Sequence, residues 1–393
     1  MAGSVEVAHG AWFAPSATAR VRAQATKQDG EIPAVKAIRI AQVAPLYESV
    51  PPRLYGGTER VVAHLCDALT ELGHEVTLFA TAEADTRAKL VPVRDQATRL
   101  DESPLKSDLA AHLTLLHEAR RRARQFDILH FHTDMLHFPM FESFADRSVT
   151  TIHGRLDLKD LSAVYARWPE FPLVSISDAQ RRPLPRANWF GTVSHGLPYE
   201  QYPFREHPRG GYLAFLGRLA AEKRPDRAIR LAQATGVPLR IAAKVDTADQ
   251  QYFEKAIAPL LQEPGIEFIG EIGEDRKAQF LGDARALLFP INWPEPFGLV
   301  MIEAMACGTP VIAWNCGSVP EVIEPGVSGY IVNSEEEARQ AIGRVDSLDR
   351  RAVRRAFERR FTAESMARGY LELYRCLLEP RRLASSRELA LRP

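Results

Sequence analysis

The sequence has few cysteines and no excess of charge of either sign. Its four cysteines are far apart, lack the spacing of metal ligands and fall mostly in apolar segments, as expected of buried thiols in a reducing cytoplasm. Lysine plus arginine and aspartate plus glutamate each number 50, so the formal net charge is +0. This balance excludes the overall positive charge of a general nucleic-acid binder, and any anion site must therefore be local.

Long hydrophobic runs are also lacking. No apolar run approaches the roughly 18 to 20 residues of a membrane span, and no long apolar core of a secretory signal occurs near the start. Residues 1–36 are instead dominated by Ala, Ser, Gln and Gly. This composition predicts a disordered N-terminal extension, with an organelle transit peptide as the alternative.

A predicted helix over residues 107–125 is the candidate for membrane contact. Leu109, Leu113 and Leu116 share one predicted face, and the arginines that end the helix could touch anionic lipid. The alternative is a solvated helix whose cations complement its C-terminal dipole, and we favour it. Peripheral membrane contact is therefore not favoured.

The chain does contain a regular alternation of short apolar runs and amphipathic stretches. This alternation predicts parallel α/β layers, and 393 residues with 46% hydrophobic content favour two such domains. Predicted strands cover residues 37–43, 75–80, 126–132, 148–153, 173–177 and 190–193, and then 212–217, 239–243, 266–269, 286–289 and 310–313. Residues 196–210 hold several Pro and Gly with few periodic apolar residues, which predicts a linker there. A cleft between the two sheets is the expected ligand site.

Two carboxylates flank a predicted helix start in the second half of the chain. Glu295 lies in a Pro-broken loop, and Glu303 lies in a wholly apolar helical run that ends at Gly308. A carboxylate in such a helix requires a polar partner. The two adjacent hydroxyls of a ribose would suit Glu303, because one carboxylate can accept from both, and Glu295 could hold a transferred sugar.

The helix start between these carboxylates is itself a candidate anion site. The first amides of a helix lack intrahelical partners and carry a partial positive charge. We therefore predict that the amides of Phe297, Gly298 and Leu299 bind diphosphate or sugar oxygens.

With its neighbours, this stretch makes the chain resemble the family 4 glycosyltransferases, which have the two-domain GT-B architecture. Glu295 and Glu303 match the Glu-x7-Glu donor motif, in which the first Glu contacts the sugar and the second the ribose. Gly217-Arg218-Leu219, followed by Glu222-Lys223, resembles the segment whose Arg and Lys hold the donor diphosphate. The resemblance covers nearly everything after residue 36.

The resemblance implies two Rossmann-like β/α/β domains that face each other across a cleft. Residues 37–195 would bind the acceptor, residues 211–363 would bind the nucleotide sugar, and a helix within 364–393 would cross back to the first domain. It also implies a retaining hexosyltransferase, with UDP-glucose as the favoured donor and GDP-mannose next. The acceptor would be a saccharide, a lipid or a small polyol.

Catalysis is expected to be independent of metal. Arg218 and Lys223 would meet the negative charge that grows on the leaving diphosphate, so a divalent cation becomes unnecessary. No Asp-x-Asp pair follows a predicted strand. We therefore expect no metal and no cofactor beyond the nucleotide sugar as co-substrate. The resemblance also implies same-face attack, with the departing phosphate accepting the acceptor's proton.

Further site residues are predicted at strand ends of the first half. Gly57 would bring its amide close to the donor, and Tyr55 and Gly56 would contact the acceptor. The alternative for the Gly pair is a tight turn that needs positive φ. His153 resembles the family's histidine near the transferred sugar, with a surface turn as the alternative, and Arg155 would contact the acceptor.

Two remaining assignments are open at this stage. His130, His132, Asp134 and His137 could form a metal cluster, but we favour acceptor contact by His132 and Asp134. Ile272 would contact the donor base, or else lie in a plain connecting loop.

Two other functions remain open beside the transferase. One is a nucleotide-sugar epimerase on the same architecture, and the other is a catalytically silent nucleotide-sugar-binding protein. A nicotinamide dehydrogenase is disfavoured, because Gly-x-Gly-x-x-Gly does not follow the first predicted strand.

Overall fold

A computed structural model describes residues 36–54 and 56–390, with side chains described as far as residue 379. The disordered extension predicted for residues 1–36 therefore lies outside the described residues, except for its last position. Within the described part, thirteen strands form two parallel sheets. The strands are β1 Arg39–Val43, β2 Glu75–Thr81, β3 Lys89–Arg94, β4 Ile128–Phe131, β5 Ser148–Thr151, β6 Leu173–Ser175, β7 Trp189–Thr192, β8 Leu213–Arg218, β9 Leu239–Lys244, β10 Ile266–Gly270, β11 Ala286–Phe289, β12 Val311–Trp314 and β13 Gly329–Val332.

Each sheet has a point at which the strand order reverses. The seven-stranded sheet has the order β3-β2-β1-β4-β5-β6-β7, and the six-stranded sheet has the order β10-β9-β8-β11-β12-β13. The chain therefore continues from β1 toward one edge of the first sheet and from β4 toward the other edge. It does the same from β8 and β11 in the second sheet. Loops after the carboxyl ends of such strand pairs leave a crevice in which ligands bind. We call the first sheet with its helices the first lobe, and the second sheet with its helices the second lobe.

Helices cover both faces of each sheet. Their bounds are α1 Gly57–Glu71, α2 Asp108–Arg122, α3 Phe138–Phe141, α4 Leu161–Arg167, α5 Pro225–Thr235, α6 Gln250–Tyr252, α7 Glu274–Gly282, α8 Leu299–Ala306, α9 Val319–Val322, α10 Glu335–Arg344, α11 Arg350–Arg360 and α12 Ala363–Ala390. Apolar residues of α1 and α12 form one core of the first lobe, and those of α2, α3 and α4 form the other. In the second lobe, α7, α8 and α11 cover one face, and α5 and α10 cover the opposite face.

The last helix confirms the predicted return to the first lobe. Met366, Tyr370 and Tyr374 of α12 are buried in the same core as α1. Just before this helix, the chain runs beside the segment that leaves the first lobe: the Leu197 N–H donates to the Phe361 carbonyl at 2.9 Å. A Cβ on Gly196 would lie 2.1 Å from the Thr362 carbonyl oxygen, so this close approach requires glycine. The domain boundaries at residues 196, 211 and 364 stay predictions.

The sequence analysis did not predict β3 and β13, and both are edge strands. β3 and β13 each pair on one side only. The residues of β3 are half-buried or exposed, and Pro92 within it is compatible only with an edge position. These two strands also lack the apolar run that predicted the others, including the edge strands β7 and β10.

The three leucines that share the predicted face of α2 differ in burial. Leu116 is buried with His112, Leu115 and Ala119, whereas Leu109 is 64% exposed and Leu113 is 49% exposed. Only Leu116 of the three therefore faces the core, and the disfavoured lipid contact stays untested. No helix in the described part of the chain is both long and apolar enough to cross a membrane.

Candidate active site

A cavity of about 490 Å³ lies where the reversal points of both sheets open. Its walls include residues that follow β1 and β4 in the first lobe, and β8 and β11 in the second. The starts of α1 and α8 also meet here: a Cβ added to Gly57 would lie 3.6 Å from Leu299 Cδ1. Two helix N-termini, with their partial positive charges, therefore face one cavity, an arrangement that suits an anion.

The two predicted diphosphate cations both line this cavity. Arg218 ends β8, and its guanidinium contacts Glu222 and lies 3.0 Å from Asp249. Lys223 follows in a short 3₁₀ turn, where its ammonium group contacts the Glu295 carboxylate and lies 4.9 Å from the centre of the Trp293 ring. Each cation thus has a carboxylate partner that an incoming phosphate would replace.

The loop that carries Glu295 is held by close backbone packing. The Ser318 N–H donates to the Glu295 carbonyl at 3.0 Å, and the Ser318 hydroxyl donates to the Phe297 carbonyl at 2.7 Å. Gly298 adopts φ 82° just before α8 begins, a conformation that favours glycine. Glu295, Phe297, Gly298 and Leu299 all line the cavity, as predicted for donor contacts.

Glu303 lies at the centre of a buried ion network that the sequence analysis missed. Its Oε1 accepts from Arg60 Nη1 at 2.5 Å and from Lys277 Nζ at 3.2 Å. Both cations also contact Glu274, to which the Tyr202 hydroxyl donates at 3.0 Å. Burial works to raise the pKa of Glu274, but Arg60 and Lys277 hold that pKa below its ordinary value. The predicted ribose carboxylate is therefore fixed by a cation from each lobe.

One sequence signal pointed to Arg60. Arg60 and His64 are four residues apart on α1, so they lie on one face of a helix whose other buried residues, apart from Glu59, are apolar. Both are buried. A polar pair at this spacing indicates a second buried surface of the helix, here the contact with α8 of the other lobe.

Histidines form the first-lobe part of the cavity. His132, His153 and His195 line it, and His153 Nε2 lies 2.8 Å from His132 Nδ1. The His153 and His195 rings stack with their centres 5.2 Å apart. Burial lowers the pKa of His153 to about 3 and lowers the pKa values of His132 and His195 well below the ordinary value. All three imidazoles are therefore neutral at pH 7.

The backbone around His153 is held by Gln180. The amide nitrogen of Gln180 donates to the Ile152 carbonyl at 2.9 Å and to the Gly154 carbonyl at 2.8 Å. The same segment reaches the second lobe, where the Ser177 hydroxyl donates to the Pro296 carbonyl at 2.6 Å. His153 is thus positioned relative to the loop that carries Glu295.

The predicted acceptor residues are only partly brought together. Gly56, His132 and Asp134 line the cavity. Tyr55 lies outside the described residues. Arg155 does not line the cavity, because its guanidinium pairs with Asp157 at 2.6 Å near the surface. Its assignment to the acceptor stays a prediction without geometric support.

The Gly56-Gly57 pair is explained by close approach rather than by positive φ. Gly56 has φ 172°, which any residue adopts, but a Cβ there would lie 2.7 Å from Pro52 Cβ. Gly57 begins α1 and lines the cavity. The tight-turn alternative, which needed positive φ, is therefore wrong for Gly56.

Two carboxyl groups on the first-lobe side have raised pKa values. Burial raises the pKa of Glu59 to about 7, and nearby Glu48 adds to this. The surrounding protein also raises the pKa of Asp134, although the open cavity leaves its side chain reachable by solvent. Asp134 adopts φ 48°, which is uncommon for a residue other than glycine. Both carboxyls line the cavity. The sequence analysis missed Glu59 and assigned Asp134 only to acceptor contact.

The histidine cluster after β4 is divided between the core and the cavity. His137 stacks on Phe131, with ring centres 3.7 Å apart, and His130 bonds to Tyr374 and Thr151. Neither lines the cavity, unlike His132 and Asp134. Across the described residues, no group of three or more His, Cys, Asp or Glu side chains is placed to hold a metal ion.

Ile272 is buried on the second-lobe side of the cavity, next to the loop after β10. It packs in the core that includes Phe289 and Phe297. This position is compatible with a base contact, which stays a prediction.

Two family models match this chain. The model described as Glycosyltransferase Family 4 matches residues 55–197, and the model described as Glycosyl transferases group 1 matches residues 203–358. The first covers the first-lobe part of the cavity from Gly56 to His195, and the second covers Arg218, Lys223, Glu295 and Glu303.

Similar curated proteins differ in how much of their length the chain covers. A D-inositol 3-phosphate glycosyltransferase from Acidothermus cellulolyticus is 31% identical over 47% of this chain and 45% of its own length. The chain thus spans less than half of that relative. A phosphatidyl-myo-inositol mannosyltransferase from Mycobacterium leprae is 25% identical over 77% of this chain and 86% of its own length.

Solved structures share the fold over most of the chain. Sucrose-phosphate synthase from Thermosynechococcus elongatus has a TM-score of 0.71 at 18% identity and covers 87% of this chain and 100% of its own. The Anabaena HepE protein, solved with UDP and glucose, has a TM-score of 0.67 at 17% identity. The match covers 85% of this chain and 98% of the HepE chain. With both sheets, the cavity and the two family matches in agreement, the chain belongs to the family 4 glycosyltransferases and has the GT-B fold.

Proposed function

We propose that this protein is a retaining hexosyltransferase that moves a hexose from a nucleotide sugar to an acceptor hydroxyl without a metal ion. The observation that carries the proposal is the convergence of Arg218, Lys223, Glu295 and Glu303 on one wall of the cavity, with His153 across from them. These groups match a nucleotide sugar in order: ribose at Glu303, diphosphate at the two cations, and hexose at Glu295.

The chemistry proposed for the cations is stabilisation of the leaving group. Negative charge grows on the diphosphate as the glycosidic bond breaks, and preorganised cations in a cavity lower the barrier. Arg218 and Lys223 have carboxylate partners in the structure, so binding of the diphosphate exchanges one set of charge pairs for another.

Same-face attack fits the neutral state of the first-lobe wall. Burial lowers the pKa of His153 to about 3, so this imidazole is a weak base at neutral pH. The departing phosphate is the proposed acceptor of the proton from the attacking hydroxyl. His153 is then left to position a hydroxyl by hydrogen bonding.

UDP-glucose is the favoured donor, and GDP-mannose is the second. Structures of the Anabaena HepE protein with UDP and with UDP-glucose share this fold and support the first choice. A relative named as a mannosyltransferase supports GDP-mannose as the second choice. Relatives named for inositol-containing acceptors also support a small polyol or a polyol headgroup as the acceptor.

A thermal-shift screen tests the donor assignment. UDP, GDP, UDP-glucose and GDP-mannose are compared in the presence of EDTA, because the true donor raises the unfolding temperature as its occupancy rises. Arg218→Met combined with Lys223→Met should abolish the shift. The matched control is Arg351→Met, which removes an exposed ion pair with Glu206 outside the cavity.

Chromatographic separation of the nucleotide-sugar isomers, coupled to mass spectrometry, then distinguishes the reaction classes. A transferase consumes the donor and adds a hexose mass to a polyol or saccharide acceptor. An epimerase converts the donor alone, and a silent binding protein leaves both unchanged. Donor conversion without any acceptor, to an isomer of equal mass, would contradict the transferase proposal.

A further inference from the structure

A chain of buried polar side chains runs from α12 to His153 and lies outside every motif that pointed to the donor site. Its members come from β1, β4, the loops after β4 and β5, and the last helix. They are Gln42, His130, His132, His153 and Tyr374, and we call this set the relay. Thr151 and Tyr370 bond beyond His130 and are not part of the relay.

The contacts of the relay are continuous. Tyr374 Oη lies 2.7 Å from His130 Nδ1 and 3.3 Å from Gln42 Nε2. Gln42 Oε1 lies 2.8 Å from His132 Nε2, and His132 Nδ1 lies 2.8 Å from His153 Nε2. All members except His153 are buried in the first lobe, so water does not compete for these bonds.

The orientation of the Gln42 amide gives this chain a direction. The amide nitrogen faces Tyr374, so it donates to the phenol oxygen, and the Tyr374 hydroxyl is left to donate to His130 Nδ1. The amide oxygen faces His132 and can only accept. His132 therefore carries its proton on Nε2 and accepts at Nδ1.

The same logic fixes the tautomer of His153. Because His132 Nδ1 accepts, His153 Nε2 must carry the proton. His153 is neutral, so its Nδ1 bears a lone pair. Within the described residues this Nδ1 is buried and has no hydrogen-bond partner. The free end of the relay is thus an unpartnered acceptor atom of a residue that lines the cavity.

We infer that Gln42 and Tyr374 are positioning residues that act through His132 to hold His153 as a hydrogen-bond acceptor for a substrate hydroxyl. The inference rests on the proposed function for the identity of that hydroxyl as part of the donor sugar or the attacking acceptor. The tautomer itself is a property of the protein alone. A group that can only accept, such as a carbonyl or a fluorine, would meet the His153 lone pair unfavourably.

The first test measures the tautomers by NMR of protein labelled with ¹⁵N-histidine. Protonated and unprotonated ring nitrogens have distinct shifts, and His153→Gln identifies the His153 signal by its loss. The expected result is a proton on His153 Nε2 and none on Nδ1. A proton on Nδ1 would reverse the chain and overturn the inference, whatever the enzyme's substrate proves to be.

The second test removes one hydroxyl from α12. In Tyr374→Phe the Gln42 amide loses its partner and can present either atom to His132, so His132 and His153 should each show both tautomers. Tyr370→Phe is the matched control. It removes a buried hydroxyl from the same helix, but its partner Thr151 still accepts from His130.

Kinetics separate positioning from a merely structural role. Tyr374→Phe should lower kcat by on the order of 10-fold to 100-fold, the size expected when a reacting group is misplaced. KM for the donor should change little, because the second lobe holds its nucleotide. Tyr370→Phe should leave kcat within about twofold while losing comparable thermal stability. Equal kcat in the two variants, or a single unchanged His153 tautomer in Tyr374→Phe, would overturn the role of Tyr374.

Discussion

The two walls of the cavity have opposite electrostatic character although they belong to lobes of the same type. The second-lobe wall carries Arg218, Lys223, Lys277 and two carboxylates, all in ion pairs. The first-lobe wall carries histidines whose pKa values are lowered by burial, so that they remain neutral. A charged wall can stabilise the negative charge that grows on a phosphate, whereas a neutral wall recognises hydroxyls by hydrogen bonding.

Arg60 is the exception that joins the two walls. It starts in the first lobe, on α1, and ends in the ion network of the second lobe. Glu303, the proposed ribose carboxylate, is therefore bound to the first lobe through an ion pair. Changes to this network should lower the free energy of unfolding more than they lower the affinity for the donor.

Breaking this junction is expected to have the largest effect. Arg60→Met should lower the free energy of unfolding by about 3–5 kcal/mol, because Lys277 is then left to balance both Glu274 and Glu303 in a buried site. Chemical denaturation measures this loss. The control Arg39→Met removes a half-exposed pair with Asp127 and should cost at most about 1 kcal/mol. Similar losses for the two variants would show that the Arg60 network contributes little.

Removing a cation from the charged wall should affect catalysis more than folding. Arg218→Ala is expected to lower kcat by on the order of 10²-fold to 10³-fold, because its partner charge grows in the transition state. Steady-state kinetics with the donor identified by thermal shift measure the change, and Arg351→Ala serves as the surface control. If Arg218→Ala altered only KM, its role in stabilising the leaving group would be wrong.

Of the two first-lobe carboxyl groups with raised pKa values, Glu59 is the buried one, and its pKa predicts a dependence of stability on pH. Burial raises the folded-state pKa of Glu59 from 4.5 to about 7. Its stabilising contribution is therefore complete below pH 4.5 and is lost as pH rises through 7. Glu59→Gln should thus become more stable than the native chain by up to about 3 kcal/mol at pH 8, with little difference at pH 4.5.

Thermal unfolding across this pH range measures the Glu59 effect. Glu71→Gln, at the exposed end of the same helix, provides the comparison and should show no growing difference. A difference between Glu59→Gln and the native chain that stayed constant with pH would contradict the raised pKa.

The ribose carboxylate gives the smallest expected effect on binding. Glu303→Gln should weaken donor affinity by about 1–3 kcal/mol, the cost of losing charge-assisted hydrogen bonds to the diol. Titration calorimetry with the nucleotide donor measures this, and Glu267→Gln, in an exposed pair with Arg240, is the control. Unchanged affinity would remove the ribose assignment. Because Glu303 is buried among cations, a loss of stability should accompany the loss of affinity.

The charged wall was largely predictable from sequence, and the neutral wall was not. Arg218, Lys223, Glu295 and Glu303 lie in short segments at strand ends and helix starts, where local pattern and family resemblance both apply. Arg218 and Lys223 were predicted from the family resemblance, and Glu295 and Glu303 were predicted from the helix start together with that resemblance. Their role in donor binding stays a prediction until the binding experiments are done.

The relay depends on contacts between distant parts of the chain. Tyr374 and His130 are separated by 244 positions, and Arg60 and Glu303 by 243. Periodicity marks Tyr374 as a core residue, but it cannot say which polar group its hydroxyl meets. Long-range partners of this kind follow from tertiary packing, and so do the edge strands β3 and β13, whose pairing replaces the missing apolar run.

Donor titration in EDTA tests the central claim most directly. Calorimetry should detect UDP-glucose or GDP-mannose binding to the native chain without metal, and Arg218→Met combined with Lys223→Met should abolish it, while Arg351→Met should not. Binding that required a divalent cation, or that survived loss of both cations, would contradict a donor held by the charged wall.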